Sequence, residues 1–443
     1  MKIILILVGI IIIFGVGIIF LPSILGLFAK DIGPVDVSDI EPISISIAAE
    51  NNAYTDLVKI PSVLYAPKDQ RNSIASYASG SQWDEAYIQM LLSKNTTTLS
   101  YFKAASEKSS YQNENFSDIS KTSPDTVVGP LNEFRIASNI SAIQALNLLK
   151  QGKIPAAVDE SFDIIRVGHH LQLAQATLIE YLVGVALTQR GLTTLQTIVS
   201  SSTLSTADLA MINSKLDGYY DTGAGLKNTF KQEGYMLRKG LLDLYVLASD
   251  EEAKKILANS ENKNSTYLLG HTDNMFYFQP NETKKIFADY TRNQIKRVDL
   301  PCAIASDFTE PKLIENTSFP RIIFTKNAIG KILHDVVAVG LNAVTHKRCT
   351  ANFVVSATKV LVAMKVYVGD TGKYPSSLSE LVPKYLSVVP TDPFDEKPIR
   401  YSAEKRIIYS VGPKGVDLGG SEDTFFRMEN PTIKINFPAT KAK

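Results

Sequence analysis

The spacing of apolar positions changes several times along this chain, and each change marks a part of it. Ile3 to Ala29 carries no charged residue, with Lys2 and Lys30 at its ends. At about 1.5 Å per residue such a run matches a hydrocarbon layer of roughly 30 Å with some tilt. Residues 1–30 are therefore expected to form an uncleaved transmembrane signal-anchor, with the chain contacting the membrane through residues 3–29. A cleaved signal peptide is the competing reading. Its apolar region spans about 7–15 residues and ends small-x-small, a pattern that Leu27-Phe28-Ala29 does not supply. Residues 31–80 read as a proline-punctuated stalk and lead-in, where the alternation Ile43-Ser-Ile-Ser-Ile predicts one short strand.

Over residues 81–325 the period becomes helical. Ser81-Gln-Trp-Asp84 has capping-box spacing and opens a predicted helix through about Phe102. After a polar segment at 109–129, Ile136, Ile140, Ile143, Leu146 and Leu149 share one helical face. Val158, Phe162 and Ile165 mark a second helix, and Leu178, Leu182, Val185, Leu192 and Leu195 a third. Ala156 and Ala157 stand where close helix packing calls for small residues. Ser205-Thr-Ala-Asp208 predicts another capping box, with Leu204 and Leu209 as its hydrophobic staple. Further helices are expected at 226–247 and from Pro280 to Ile295, and the three prolines between Val298 and Arg321 predict extended chain. Short helices with short turns favour antiparallel neighbours, so 81–325 predicts an irregular stack of helical hairpins. Residues 326–368 predict one long helix bent at Gly340, and 369–443 a compact C-terminal module and tail. Within the module, 377–386 reads as a short helix, and Ile399-Arg-Tyr pairs with Ile407-Ile-Tyr-Ser-Val as a hairpin. The predicted fold class is mainly α, with an N-terminal transmembrane helix and a small C-terminal α+β module containing an antiparallel hairpin.

That module carries punctuation in a particular order: Tyr367 through Pro375, Pro390-Thr-Asp392-Pro393-Phe394, Tyr401, then Tyr409-Ser410-Val411-Gly412. It resembles the globular domain of the major pseudopilins of type II secretion over about Phe353 to Gly420. In that family a long helix ends in a glycine-Tyr-Pro turn, followed by a short helix, a proline-Asp-Pro turn and a small antiparallel hairpin. Asp392-Pro393 has its own local reason, since an Asp side chain before proline initiates a turn by bonding to the backbone. The resemblance further implies a terminal loop able to hold calcium, a hard cation that takes several oxygen ligands. Here Asp417, Glu422 and Asp423 are the candidate ligands, with a plain solvated turn as the alternative and no other cofactor expected. The chain departs from the family at the other end: Lys2 runs straight into Ile3 and no glutamate lies in the apolar run. The resemblance thus implies the fold of the module and not processing and polymerisation as a pilin. The layout as a whole is similar to large exported, membrane-anchored proteins of bacteria such as planctomycetes.

Charge and chemistry narrow the function classes. With 46 basic and 45 acidic residues the chain has no electrostatic footprint for nucleic acid, which is excluded as a partner. Cys302 and Cys349 are the two cysteines, open to a disulfide in an exported protein or to two buried thiols. His169 and His170 are the only histidine pair; as helix neighbours they point about 100° apart and do not chelate, one bordering the core and the other exposed. Glu180, Glu233 and Asp163 lie on amphipathic helices, where lone acids are solvated or paired. No His-Glu-x-x-His, Gly-x-Ser-x-Gly or Walker loop occurs, and no catalytic residue is assigned. The expectation is an inner-membrane, single-pass bacterial envelope protein with its bulk on the periplasmic side, serving as a scaffold for other envelope proteins. An accessory role in a type II secretion or pilus-like machine is the alternative, and an exported hydrolase a further one.

Overall fold

The computed structural model describes residues 24–116, 130–248, 274–307, 310–314, 322, 324–338, 342–420 and 430–437. It is mainly helical, with one small antiparallel three-stranded sheet near the C-terminus. Most of the expected membrane anchor, together with Glu422, Asp423 and Gly340, lies outside the described residues.

The centre of the fold is a set of three consecutive helices, α4 (Leu131–Lys150), α5 (Ile154–Leu173) and α6 (Leu178–Ser201). Helices α5 and α6 approach each other closely, and glycine makes it possible. A Cβ added at Gly168 would lie 2.5 Å from the Thr188 backbone nitrogen, and one at Gly184 would lie 2.7 Å from the Gly168 carbonyl oxygen. Of the two alanines expected to serve this purpose, Ala157 is buried but Ala156 is exposed. Helix α6 starts at a capping box in which Thr177 and Glu180 bond reciprocally. Helix α7 (Thr206–Leu216) starts at the predicted box of Ser205 and Asp208, with Leu209 in the core and half-buried Leu204 packed against it.

Around this centre, α1 (Arg71–Ala78), α2 (Glu85–Lys94) and α3 (Thr96–Ser106) cover one side of α4 and α5. Ile74, Ile88, Phe102, Phe134 and Ile140 are buried in their shared core. On another side, α8 (Ala224–Ala248) packs on α9 (Pro280–Arg297), and α9 on α11 (Ala328–Ala338). The 30-residue α12 (Asn342–Thr371) runs past α6, α7 and the short α10 (Cys302–Asp307). Val344–Thr371 is long and apolar enough to cross a membrane, but 89% of its apolar window is buried inside the protein, so it is a core helix.

Strands β1 (Arg400–Ser402), β2 (Ile407–Tyr409) and β3 (Thr432–Lys434) pair in sequence order, with Tyr401 opposite Ile408 and Ile408 opposite Ile433. The sheet has no separate core. One apolar cluster runs from Phe162 and Leu195 through Leu361 and Met364 of α12 to Ile408, Ile433 and Phe437.

Several sequence expectations are corrected. Residues 43–47 form no strand: the Gln175 side chain bonds both the N–H and the carbonyl of Ile43, at 3.1 and 2.7 Å, in place of a strand neighbour. Asp84, not Ser81, caps α2, accepting from the Tyr87 N–H at 3.0 Å, while Ser81 Oγ donates to the Ser76 carbonyl. The helix expected to reach Phe102 breaks at Asn95, whose buried amide instead bonds the backbone of Tyr65 in both directions at 3.0 Å. The stretch expected to be extended contains α10. The short helix at 377–386 is only a 3-10 turn, Leu378–Leu381, because Pro383 has no N–H to continue it. Strand β3 is absent from the sequence reading.

Candidate functional site

The residues singled out from the sequence fall into separate places. Cys302, at the start of α10, is disulfide-bonded to Cys349 of α12, with Cα atoms 6.0 Å apart. The bond joins α10 to α12, and both cysteines are buried beside Phe394 and Val411 of the C-terminal module. Asp417 accepts from the Gly419 N–H at 2.9 Å and faces the Arg400 guanidinium at 3.7 Å. That guanidinium pairs more closely with Asp392 and Asp395, so it is shared among three carboxylates. Among the described residues, no three His, Cys, Asp or Glu side chains are grouped to hold a metal ion.

The two histidines do not divide into one buried and one exposed ring. Both are half-buried, and burial lowers the pKa of each. His169 sits edge-on to Tyr219 at 5.3 Å, and the backbone of Ser106 and Lys108 faces His170. The three acids are interior ties, not solvated charges. Glu180 is fully buried and accepts from Tyr111 Oη and Asn113 Nδ2, both at 2.9 Å, as well as from Thr177. Asp163 accepts from Ser106 Oγ at 2.5 Å and pairs with Arg166. Glu233 accepts from the Leu178 N–H at the start of α6, and burial raises its pKa.

Asp392 explains the motif order of the C-terminal module. Its side chain is completely buried and accepts from the Phe394 N–H, Ser410 Oγ, the Val411 N–H and Arg400 at 2.8–3.0 Å. One carboxylate thus joins the Asp392-Pro-Phe turn to the Tyr-Ser-Val-Gly strand end. These contacts are all internal and leave the group nothing to offer a substrate.

A different arrangement lies where α4 and α6 meet, with Ala75 of α1 and Val354 of α12 at the margins. There the surface dips into a cleft of about 320 Å³. Arg135 and Ser138 reach it from α4 because residues three apart share a helix face; Ala186 and Arg190 do so from α6 at four apart. Ser138 Oγ is committed to the Arg135 carbonyl at 2.8 Å. Gln189 is 7% exposed, and its Nε2 has no hydrogen-bond partner among the described residues. Neither arginine forms an ion pair among the described residues, and no acid lines the cleft. Burial, and then the charge of Arg135, push the Arg190 guanidinium below its usual range.

The sequence reading missed these three residues. The available signal was Gln189-Arg190 interrupting a long apolar run at a buried helical phase. Its meeting with Arg135 is a tertiary fact. Comparison of the chain with protein-family models, with curated proteins and with solved structures yields no match.

Proposed function

We propose that this chain is a membrane-anchored, exported bacterial envelope protein whose helical domain and C-terminal module serve as an interaction scaffold. The observation that carries the reading is the Cys302–Cys349 disulfide between two core elements. Such bonds persist in oxidising compartments and are rare in the cytosol. The uncharged run from Ile3 to Ala29 supplies the anchor in this reading. Leu27 and Phe28 at its end are 81% and 82% exposed, as expected of residues that belong in lipid. The buried polar groups described above act as structural ties, which favours a scaffold over a hydrolase. The hairpin, the Asp392 hub and the Tyr409–Gly412 strand end support the likeness to a pseudopilin module. A second reading, an accessory part of a type II secretion machine, draws on the module's surface, where Val388, Val416 and Leu418 are exposed. A folding-dependent reporter fused after Gly420 tests the compartment. Activity is expected only in a strain competent for export and in an enzyme that matures outside the cytoplasm. Activity of a reporter that works only in the cytoplasm would overturn the topology.

A further inference from the structure

Among the described residues, the buried and half-buried arginines are answered by an acid or a backbone carbonyl, with Arg190 as the exception. Arg238 meets Glu41 at 2.8 Å and Arg400 meets Asp392 at 2.9 Å. Arg348 donates to the backbone carbonyls of Val298 and Asp221. At the α4–α6 cleft, Arg190 and Arg135 share one space with no acid among the lining residues. Bringing two like charges together while drawing one out of water costs free energy unless an opposite charge joins them. Gln189 adds a buried amide nitrogen with no partner, in a position where buried polar groups are normally bonded.

We propose that this cleft binds a small organic anion. Its carboxylate or phosphate head would lie between the guanidinium groups of Arg135 and Arg190 and receive a hydrogen bond from the Gln189 amide. Guanidinium forks match planar carboxylate and phosphate oxygens in pairs, which a single ammonium does not do. Leu187 and Val354 give the cleft an apolar lining for the body of the ligand. At about 320 Å³ the space sits at the small end of ligand pockets, about 300–1,000 Å³, so a compact metabolite fits better than a nucleotide. The inference does not depend on the scaffold reading, since it rests on the cleft alone.

Calorimetry and thermal melting on the full chain in nanodiscs test it, with inorganic phosphate, butyl phosphate and hexanoate in separate arms. At least one organic anion is expected to release or absorb heat and to raise the melting temperature. Comparison of the butyl phosphate and hexanoate arms identifies the head group. Arg190→Gln is expected to weaken binding about tenfold or more, the loss of hydrogen bonds to a charged group. Arg190→Lys keeps the charge and the stem and should bind with intermediate strength, which separates lost recognition from lost folding. Circular dichroism of each variant provides the folding control. Absence of heat and of any melting shift in all arms at millimolar concentration would overturn the site. So would binding that persists unchanged when Arg135→Gln and Arg190→Gln are combined. Inorganic phosphate binding as tightly as both organic anions would overturn the role given to Leu187 and Val354.

Discussion

Single side chains decide the polar interior of this protein, and Glu160 on α5 shows how. Burial pushes its pKa from the ordinary 4.5 up to about 7, against a hydrogen bond from Ser141 Oγ at 2.5 Å. A carboxyl raised on folding adds stability that is fully present below its unfolded pKa and is lost as pH rises through its folded one. Glu160 therefore favours the fold below about pH 4.5, and that contribution disappears by about pH 7. The gap corresponds to about 3 kcal/mol at most. Glu160→Gln is expected to raise stability at pH 8 and to flatten the stability profile between pH 5 and 7, measured by urea unfolding across that range. An unaltered profile would show that the carboxyl is better hydrated than its surroundings suggest. Nothing in the sequence distinguishes Glu160 from exposed Asp159 beside it; only the packing of α4 against α5 does.

At the scale of helices, the same contrast separates caps from crossings. Ser205-Thr-Ala-Asp208 could be read directly because a cap is a local hydrogen-bond pattern within four residues. Thr177-Leu-Ile-Glu180 has equal spacing and forms an equally complete box, yet its Glu180 also collects Tyr111 and Asn113 from a distant segment. The α5–α6 crossing has no local signature. Gly168 and Gly184 look like weak points in helices until their partners are known, since glycine costs about 1 kcal/mol against alanine in a helix interior. Here that cost is offset by the contact between two backbones. Gly168→Ala is expected to destabilise the protein by about 2 kcal/mol or more through overpacking, despite the better helix propensity of alanine. Ala156→Ser, on the exposed face next to buried Ala157, serves as the control and should change stability by less than about 0.5 kcal/mol. Equal effects of the two changes in denaturant melts would mean that α5 and α6 separate readily.

For the whole molecule, the shared core makes the C-terminal module part of the helical domain, and the disulfide joins α10 to α12 beside it. Cys302 and Cys349 are 47 residues apart, a loop whose closure restricts the unfolded chain by about 4 kcal/mol in the chain-entropy account. Replacing both with serine is expected to lower stability by about 2–4 kcal/mol, and reductant should produce a similar fall in melting temperature in the native chain alone. Melting that is insensitive to reductant in the native chain would mean that the bond does not form in solution. The sequence by itself determined the helical character, the existence of the hairpin and the balance of charge. Each follows from periodicity, turn residues and composition, which act within a few residues. It located the candidate calcium ligand Asp417 but not the Arg400 that faces it, and it found two cysteines without joining them. Tertiary structure alone decided the Asp392 hub, the glycine crossing and the meeting of Arg135 with Arg190. All three depend on which helix faces which, and that choice is made by burial summed over the whole core, not by any segment's own pattern.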